Sequence, residues 1–116
     1  MPGIKTDRIR ENPEALVQKR IIKMLKARDW YVTVMHASFA LRGIPDLYAV
    51  HKRHGARWIE VKDPKRTGKR SLFTSAQLET FPHWSAAHIQ IYVLTGPEQE
   101  EYEKLFRPGN WARYLV

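Results

Sequence analysis

The stretch between Gly43 and Lys62 constrains the fold of this chain more than any other. It holds two segments rich in β-branched and aromatic residues, 47–50 and 57–62, joined by a polar connection at 51–56 that contains a glycine. This pattern predicts an antiparallel hairpin, because such residues suit a pleated, half-buried surface and glycine suits the turn. The chain must therefore contain a sheet, with one face of this hairpin against a core.

Three ionisable side chains converge if the hairpin forms. Successive side chains of a strand point to opposite faces, so Glu60 and Lys62 share one face, and Ile59 and Val61 share the other, which we expect to be buried. Asp46 stands at the start of the first strand, and folding the hairpin brings it to the end of the second. We therefore expect Asp46, Glu60 and Lys62 to lie together.

A cluster of this composition is typical of metal-assisted phosphodiester hydrolysis. Carboxylate oxygens suit hard cations such as Mg²⁺, which binds through one or two carboxylates together with substrate phosphate. The metal would polarise a phosphoryl oxygen and lower the pKa of a bound water, with Lys62 near the water or the charged transition state. For Glu60 and Lys62 alone, an ordinary surface ion pair on a hairpin is the alternative. The Gly-Ile-Pro-Asp sequence at 43–46 favours the catalytic interpretation.

These residues also resemble the VRR-NUC branch of the PD-(D/E)xK nucleases. The resemblance is carried by 43–46 (Gly-Ile-Pro-Asp), 59–62 (Ile-Glu-Val-Lys) and 74–77 (Thr-Ser-Ala-Gln), and it runs from about residue 14 to about residue 94. It implies an α/β fold with a restriction-endonuclease-like core, in which helices flank a mixed central sheet. It also implies Mg²⁺ or Mn²⁺ dependence and DNA endonuclease activity. The resemblance to small stand-alone members of this family further implies a homodimer that acts on branched DNA, such as four-way junctions or flaps.

Two residues have a structural and a functional interpretation. Glu14 follows Asn12 and Pro13, a pattern that predicts a helix start with an acid in its first turn, whereas the resemblance implies a further metal ligand. Thr74 and Gln77 form a capping-box pattern, whereas the resemblance implies that Gln77 orients the water or the lysine. We expect these two roles of Gln77 to compete for its side chain. Including the Val61 carbonyl, the predicted metal ligands are Glu14, Asp46, Glu60 and Val61, and the predicted catalytic residues are Asp46, Glu60, Lys62 and Gln77.

Charge and composition point to a polyanionic partner. The 116 residues suit one domain over 1–116, without cysteines, and 20 Lys and Arg against 12 Asp and Glu give a net charge of +8. A basic loop at 63–71 directly follows the Glu-Val-Lys strand. No apolar stretch is long enough to span a bilayer and no signal peptide is recognisable, so we expect a cytoplasmic protein without a membrane partner. The predicted DNA contacts are Arg42, Lys65, Arg66, Lys69 and Arg70.

The remaining elements follow from periodicity. We predict helices at about 13–28, from 74 onwards with a kink or break at Pro82, and from about 98 to 106. We predict further strands at 30–36 and 89–94, the latter apolar enough for a central place in the sheet. The aromatic tail at 111–116 either packs on the core or forms a dimer contact. The competing functions are a non-catalytic DNA- or RNA-binding domain on the same scaffold and, less favoured, an RNA nuclease.

Overall fold

The computed structural model describes residues 12–36, 42–66 and 72–115. Its regular elements, in chain order, are α1 (Pro13–Lys26), β1 (Tyr31–Val34), β2 (Leu47–His51), β3 (Gly55–Val61), α2 (Ser75–Ala86), β4 (Ile91–Leu94) and α3 (Gln99–Glu103). Short 3₁₀ helices are formed by Pro64–Arg66, Lys104–Phe106 and Trp111–Tyr114. Within these described ranges, no helix combines the length and the apolar character needed to cross a membrane.

The sheet is mixed and its strands lie in chain order, β1-β2-β3-β4. β1 and β2, and β2 and β3, pair antiparallel, whereas β3 and β4 pair parallel. A parallel pair needs a crossover, and α2 supplies it. The predicted hairpin and the predicted α/β class with a mixed sheet are therefore confirmed.

β4 lies at the edge of this sheet, so its predicted central position is wrong. All four of its residues are nevertheless buried. The side chain of Asn110 covers the outer edge: its Oδ1 accepts from the Val93 N–H at 2.6 Å, and its Nδ2 donates to the Val93 carbonyl at 3.1 Å. The amide side chain thus satisfies the outward-facing backbone groups of Val93. The side chains of β4 are apolar because they are buried in the two clusters that cover the faces of the sheet.

Both faces of the sheet are covered. On one face, Ile21 and Leu25 of α1 pack in a buried cluster with Leu47, Ile59 and Val61. Each such side chain stabilises the fold by about 1.5–3 kcal/mol when it is fully buried. The expectation that Ile59 and Val61 face a core is confirmed.

The second face is covered by α2 and the C-terminal segment. Phe81, Phe73 and Trp111 form a buried aromatic group, with ring centroids 5.5–6.0 Å apart. The Trp111 indole N–H donates to Ser85 Oγ at 2.7 Å. Of the two interpretations of the tail, packing on the core is therefore the one observed for the described part of it.

α1 begins as predicted, since Asn12 Oδ1 accepts from the Glu14 N–H at 2.7 Å. It ends at Lys26, two residues before the predicted end, because Asp29 turns the chain with a positive φ of 70°. α2 also begins as predicted, with Thr74 as its N-cap.

Of the kink or break predicted at Pro82, the break is wrong, because α2 runs through this residue. Proline removes the N–H that would bond to the Leu78 carbonyl. Leu78 is 46% exposed and Pro82 is exposed, so this carbonyl lies on the wet side of the helix, where water has access.

Candidate active site

Asp46 is delivered to its position by the hairpin register and by the turn before it. Leu47 pairs with Ile59, which places Asp46 beside the last residues of β3. Asp46 Oδ2 accepts a hydrogen bond from the Val61 N–H at 2.8 Å. This bond replaces the next rung of the ladder and holds the carboxylate at the carboxyl end of β3.

Gly43 makes this delivery possible. Its φ is +80°, and a Cβ built on it would lie 2.5 Å from Thr80 Oγ1 and 2.7 Å from the Ala76 carbonyl oxygen. The backbone therefore passes directly against α2, where a side chain does not fit. Pro45, two residues later, is buried and fixes φ before the strand starts. Together, these two residues fix where the Asp46 side chain emerges.

Glu60, Lys62 and Gln77 form a buried polar network. They are only 1%, 4% and 7% exposed, respectively. Lys62 Nζ lies 3.0 Å from Glu60 Oε2 and donates to Gln77 Oε1 at 3.1 Å. Gln77 Nε2 donates to Glu60 Oε2 at 2.6 Å. The structure thus brings together three of the predicted residues, with Asp46 beside them.

Gln77 caps its helix and joins this network at the same time. Its Oε1 also accepts from the Thr74 N–H at 3.0 Å, while Thr74 Oγ1 accepts from the Gln77 N–H at 3.1 Å. The expected competition between the two roles is wrong, because an amide oxygen accepts two hydrogen bonds and its nitrogen remains free to donate. The capping box therefore orients the amide that contacts Glu60 and Lys62.

The two carboxylates are in an electrostatically costly position. Burial, and then the neighbouring Asp46 carboxylate, raise the pKa of Glu60 to about 8, although Lys62 and Gln77 favour its charged form. Burial also raises the pKa of Asp46, against the effects of the Val61 N–H, of Lys62 and of a hydrogen bond with Glu60. A pair of buried acids whose pKa values are both raised in this way binds a proton or a cation.

The donor set fits a hard divalent cation. Glu60 Oε1 is buried and lacks a hydrogen-bond partner among the described residues. Such an atom is costly unless a ligand satisfies it. The N–H and C=O of one strand residue point to the same side, so the Val61 carbonyl faces the side on which Asp46 accepts from the Val61 N–H. Two carboxylates and a carbonyl oxygen are ligands that Mg²⁺ accepts together with water and phosphate.

Glu14 approaches the same region from the first turn of α1. Burial raises the pKa of this half-buried acid; Asp46 adds to the rise, and Lys62, the Asp63 backbone and Arg66 oppose it. Glu14 does not complete a larger cluster: residues 12–36, 42–66 and 72–115 contain no group of three or more His, Cys, Asp or Glu placed to hold a metal ion. The structure therefore puts Glu14 within electrostatic reach of the site and leaves two carboxylates at its centre.

Three of the five predicted DNA contacts fall within the described residues, and all three lie close to the site. Arg42 is exposed and, with Asp46 and Gln77, lines a cavity of about 370 Å³. Lys65 and Arg66 are exposed on the 3₁₀ helix that follows Lys62. Lys69 and Arg70 lie outside the described residues.

One contact at the site was not predicted. Lys62 Nζ lies 5.3 Å from the centre of the Phe73 ring, a cation–π geometry that helps to hold a buried ammonium. Phe73 directly precedes the N-cap Thr74. The sequence did contain a signal for this contact. An apolar residue directly before a capping box commonly packs against the helix that follows.

Comparison with known proteins supports the fold. No protein-family model and no curated protein matches the chain. Among solved structures, one described as a VRR_NUC domain is similar to it, with a TM-score of 0.62 and 22% sequence identity, over 80% of this chain and 95% of the other. At this identity the similarity establishes a common fold. The restriction-endonuclease-like arrangement predicted from the resemblance is therefore confirmed as an architecture.

Proposed function

We propose that this chain is a DNA endonuclease of the VRR-NUC type that depends on Mg²⁺ or Mn²⁺. The observation that carries the proposal is the buried oxygen Glu60 Oε1, which lacks a hydrogen-bond partner in the described chain and belongs to a carboxylate beside Asp46. A domain that only binds nucleic acid needs positive charge but has no use for two buried acids. The fold shared with a VRR_NUC domain supports the same conclusion.

In this proposal, Asp46, Glu60 and the Val61 carbonyl hold the metal ion, and Glu14 adds negative charge from α1. When bound, the ion supplies a Lewis acid for the phosphoryl oxygen and a water of lowered pKa. Water adds to phosphorus, the bond from phosphorus to one sugar oxygen breaks, and that oxygen leaves with a proton.

Lys62 stabilises the negative charge that develops on the phosphate oxygens or orients the attacking water. Its ammonium can do so because Glu60 Oε2 and Gln77 Oε1, at 3.0 and 3.1 Å, fix its position. Gln77 is a positioning residue, since its amide bridges the acid and the lysine. Burial of all three side chains excludes water that would weaken these interactions.

The expected substrate is DNA, and the branched forms in this proposal rest on the resemblance carried by 43–46, 59–62 and 74–77. Arg42, Lys65 and Arg66 around the site, and the net charge of +8, suit phosphate contacts. Lys69 and Arg70 are included in the proposed contacts from the sequence. A homodimer would present two sites to a two-fold symmetric junction.

The test is a panel of duplex, flap, splayed and four-way DNA, with a single-stranded RNA, each incubated with Mg²⁺, Mn²⁺ or a chelator. We expect metal-dependent cleavage of DNA, with a preference for branched forms. Asp46→Asn keeps an oxygen for the Val61 N–H and should abolish cleavage while retaining DNA binding. Glu79→Gln, the same acid-to-amide change at an exposed position of α2, is the matched control that should still cleave.

Other outcomes would replace the proposal. Binding of DNA without cleavage in any metal would identify a binding domain, and cleavage of RNA alone would identify a ribonuclease. Equal cleavage of linear and branched DNA would remove the structure preference. The mass of the protein in solution, measured by light scattering with and without a junction, decides between one and two copies.

A further inference from the structure

A second concentration of positive charge lies at the outer edge of the sheet, beyond β4. It forms a cavity of about 260 Å³, which we call the edge pocket. The edge pocket is smaller than the roughly 300–1,000 Å³ typical of sites for drug-sized ligands. It therefore suits a small group. Its lining consists of Lys104, Arg107, Pro108, Asn110, Arg113 and Tyr114.

The carboxylates near the edge pocket hold its cations from outside the lining. Glu101 Oε2 accepts from Lys104 Nζ at 2.6 Å, and Glu101 Oε1 accepts from the Thr95 N–H at 2.7 Å. Glu103 Oε1 lies 4.0 Å from Arg107 on the exposed surface, where such a pair contributes little. Neither acid lines the pocket. The lining of the cavity thus contains three cations and no carboxylate.

The edge pocket also offers donors suited to a phosphate group. No carboxylate of the described chain lies within ion-pair distance of Arg113, which is exposed. Lys104 Nζ donates to Tyr114 Oη at 3.0 Å, which leaves the Tyr114 hydroxyl hydrogen available as a donor. Guanidinium groups present two parallel N–H donors that match the oxygens of a phosphate.

The edge pocket and the catalytic cluster lie on opposite sides of β4. Lys62 donates its backbone N–H to the Leu94 carbonyl across the β3–β4 boundary, and Asn110, which lines the pocket, bonds to Val93 on the outer edge. Neighbouring strands are about 4.8 Å apart. The Lys62 backbone on β3 and the Asn110 side chain outside β4 are therefore about two strand spacings apart, roughly 10 Å, which corresponds to a few phosphates at about 3.4 Å each along one strand.

From these observations, we infer that the edge pocket binds a phosphate group, and that in the substrate this is a backbone phosphate a few nucleotides from the bond that is cut. The second half of this inference rests on the proposed function. It gives the enzyme a contact on the substrate strand that is separate from the metal site and from the basic loop.

The main experiment measures binding of a labelled single-stranded oligonucleotide in chelator, between about 50 and 200 mM salt. Arg107→Gln/Arg113→Gln should reduce the slope of log K against log salt by about 0.7, since the loss of one phosphate contact on a single strand accounts for roughly that amount. The matched control is Lys52→Gln/Arg53→Gln, which removes two exposed charges from the β2–β3 turn, at the other end of the hairpin from Asp46. It should keep the wild-type slope. Equal slopes for the two double variants would overturn the assignment to DNA.

A second arm uses inorganic phosphate and thermal unfolding. Phosphate should stabilise the wild type and the control, and should not stabilise Arg107→Gln/Arg113→Gln. Stabilisation combined with equal salt slopes would mean that the pocket takes free phosphate and that its place in the substrate complex is wrong. Loss of both effects would overturn the pocket itself. This arm remains informative if the protein fails to bind DNA, an outcome that would count against the proposed nuclease function instead.

A kinetic readout separates binding from chemistry. With metal present, Arg107→Gln/Arg113→Gln should raise KM for long substrates and leave kcat unchanged, because a remote phosphate contact acts equally on ground state and transition state. An unchanged KM combined with a lower kcat would place these arginines in the chemical step and contradict the inference.

Discussion

Replacing Gln77 by alanine tests whether the capping box and the buried polar network of Glu60 and Lys62 are one structure. The variant loses the acceptor for the Thr74 N–H and the donor to Glu60 Oε2, which lies 2.6 Å away. A lost cap costs about 0.5–2 kcal/mol, and a lost hydrogen bond to a charged group about 1.5–3 kcal/mol. We therefore expect Gln77→Ala to lower the free energy of unfolding by about 2–5 kcal/mol.

The matched control is Thr74→Ala. It removes only the hydroxyl that accepts from the Gln77 N–H at 3.1 Å, so it should cost the cap alone, about 0.5–2 kcal/mol. Unfolding in urea, followed by far-UV circular dichroism with and without chelator, measures both values. The difference between the two variants then isolates the contact with Glu60 and Lys62.

Cleavage rates complete the test. If Gln77 positions Lys62, its loss should lower kcat by about 10- to 100-fold, which corresponds to roughly 1.4–2.7 kcal/mol of the activation barrier. Thr74→Ala should stay near the wild-type kcat once the folded fraction is taken into account. Gln77→Glu keeps an oxygen for the Thr74 N–H but presents an acceptor to Glu60, so it should be inactive yet retain its cap. Equal activity of Gln77→Ala and Thr74→Ala would refute the reasoning.

The buried acids and the close approach at Gly43 lead to three further predictions. In chelator, stability should fall as pH rises from about 4.5 to about 8, because the pKa of Glu60 is raised from 4.5 to about 8 and the folded state binds the extra proton. In urea unfolding measured at several pH values, Glu60→Gln should flatten the dependence of stability on pH. The same dependence in wild type and variant would contradict the assignment to Glu60. Mg²⁺ or Mn²⁺ at about 100 times Kd should add about 2.7 kcal/mol to wild-type stability, with little effect on Asp46→Asn in a thermal-shift assay. Gly43→Ala and Gly55→Ala both place alanine at positive φ, which costs about 1–2 kcal/mol, but only at Gly43 would Cβ collide with α2, adding about 1–3 kcal/mol. Similar urea midpoints for the two alanine variants would show that this close approach is absent.

The convergence of Asp46, Glu60 and Lys62 was predictable because it depends on local rules. Strand alternation puts Glu60 and Lys62 on one face, and a hairpin returns Asp46 to them whatever the rest of the chain does. The beginning of α1 at Pro13 was predictable for a similar reason, since the cap at Asn12 lies within two residues of its partner.

Features that depend on distant segments were not predictable from local pattern. The double role of Gln77 requires the start of α2 to lie over Glu60, a placement set by packing of Phe81 against residues far along the chain. The edge position of β4 was missed because burial of a strand does not tell what covers it, here the side chain of Asn110. The edge pocket arises in the same way, from the segment that follows α3 as it returns along β4.

The buried pair of Glu60 and Lys62 is hard to explain by stability alone. Removing both charges from water is expensive, and replacing a buried ion pair by apolar side chains of similar volume is often neutral or stabilising. Here the cost is increased, because Asp46 adds a second carboxylate and Glu60 Oε1 is left without a hydrogen-bond partner in the described chain. The surroundings are nevertheless organised around these charges: the capping box orients Gln77 toward both, and Phe73 covers the ammonium. A fold that keeps such an arrangement between two apolar clusters gains from it in another way, which supports the proposed cation-dependent chemistry at Asp46 and Glu60.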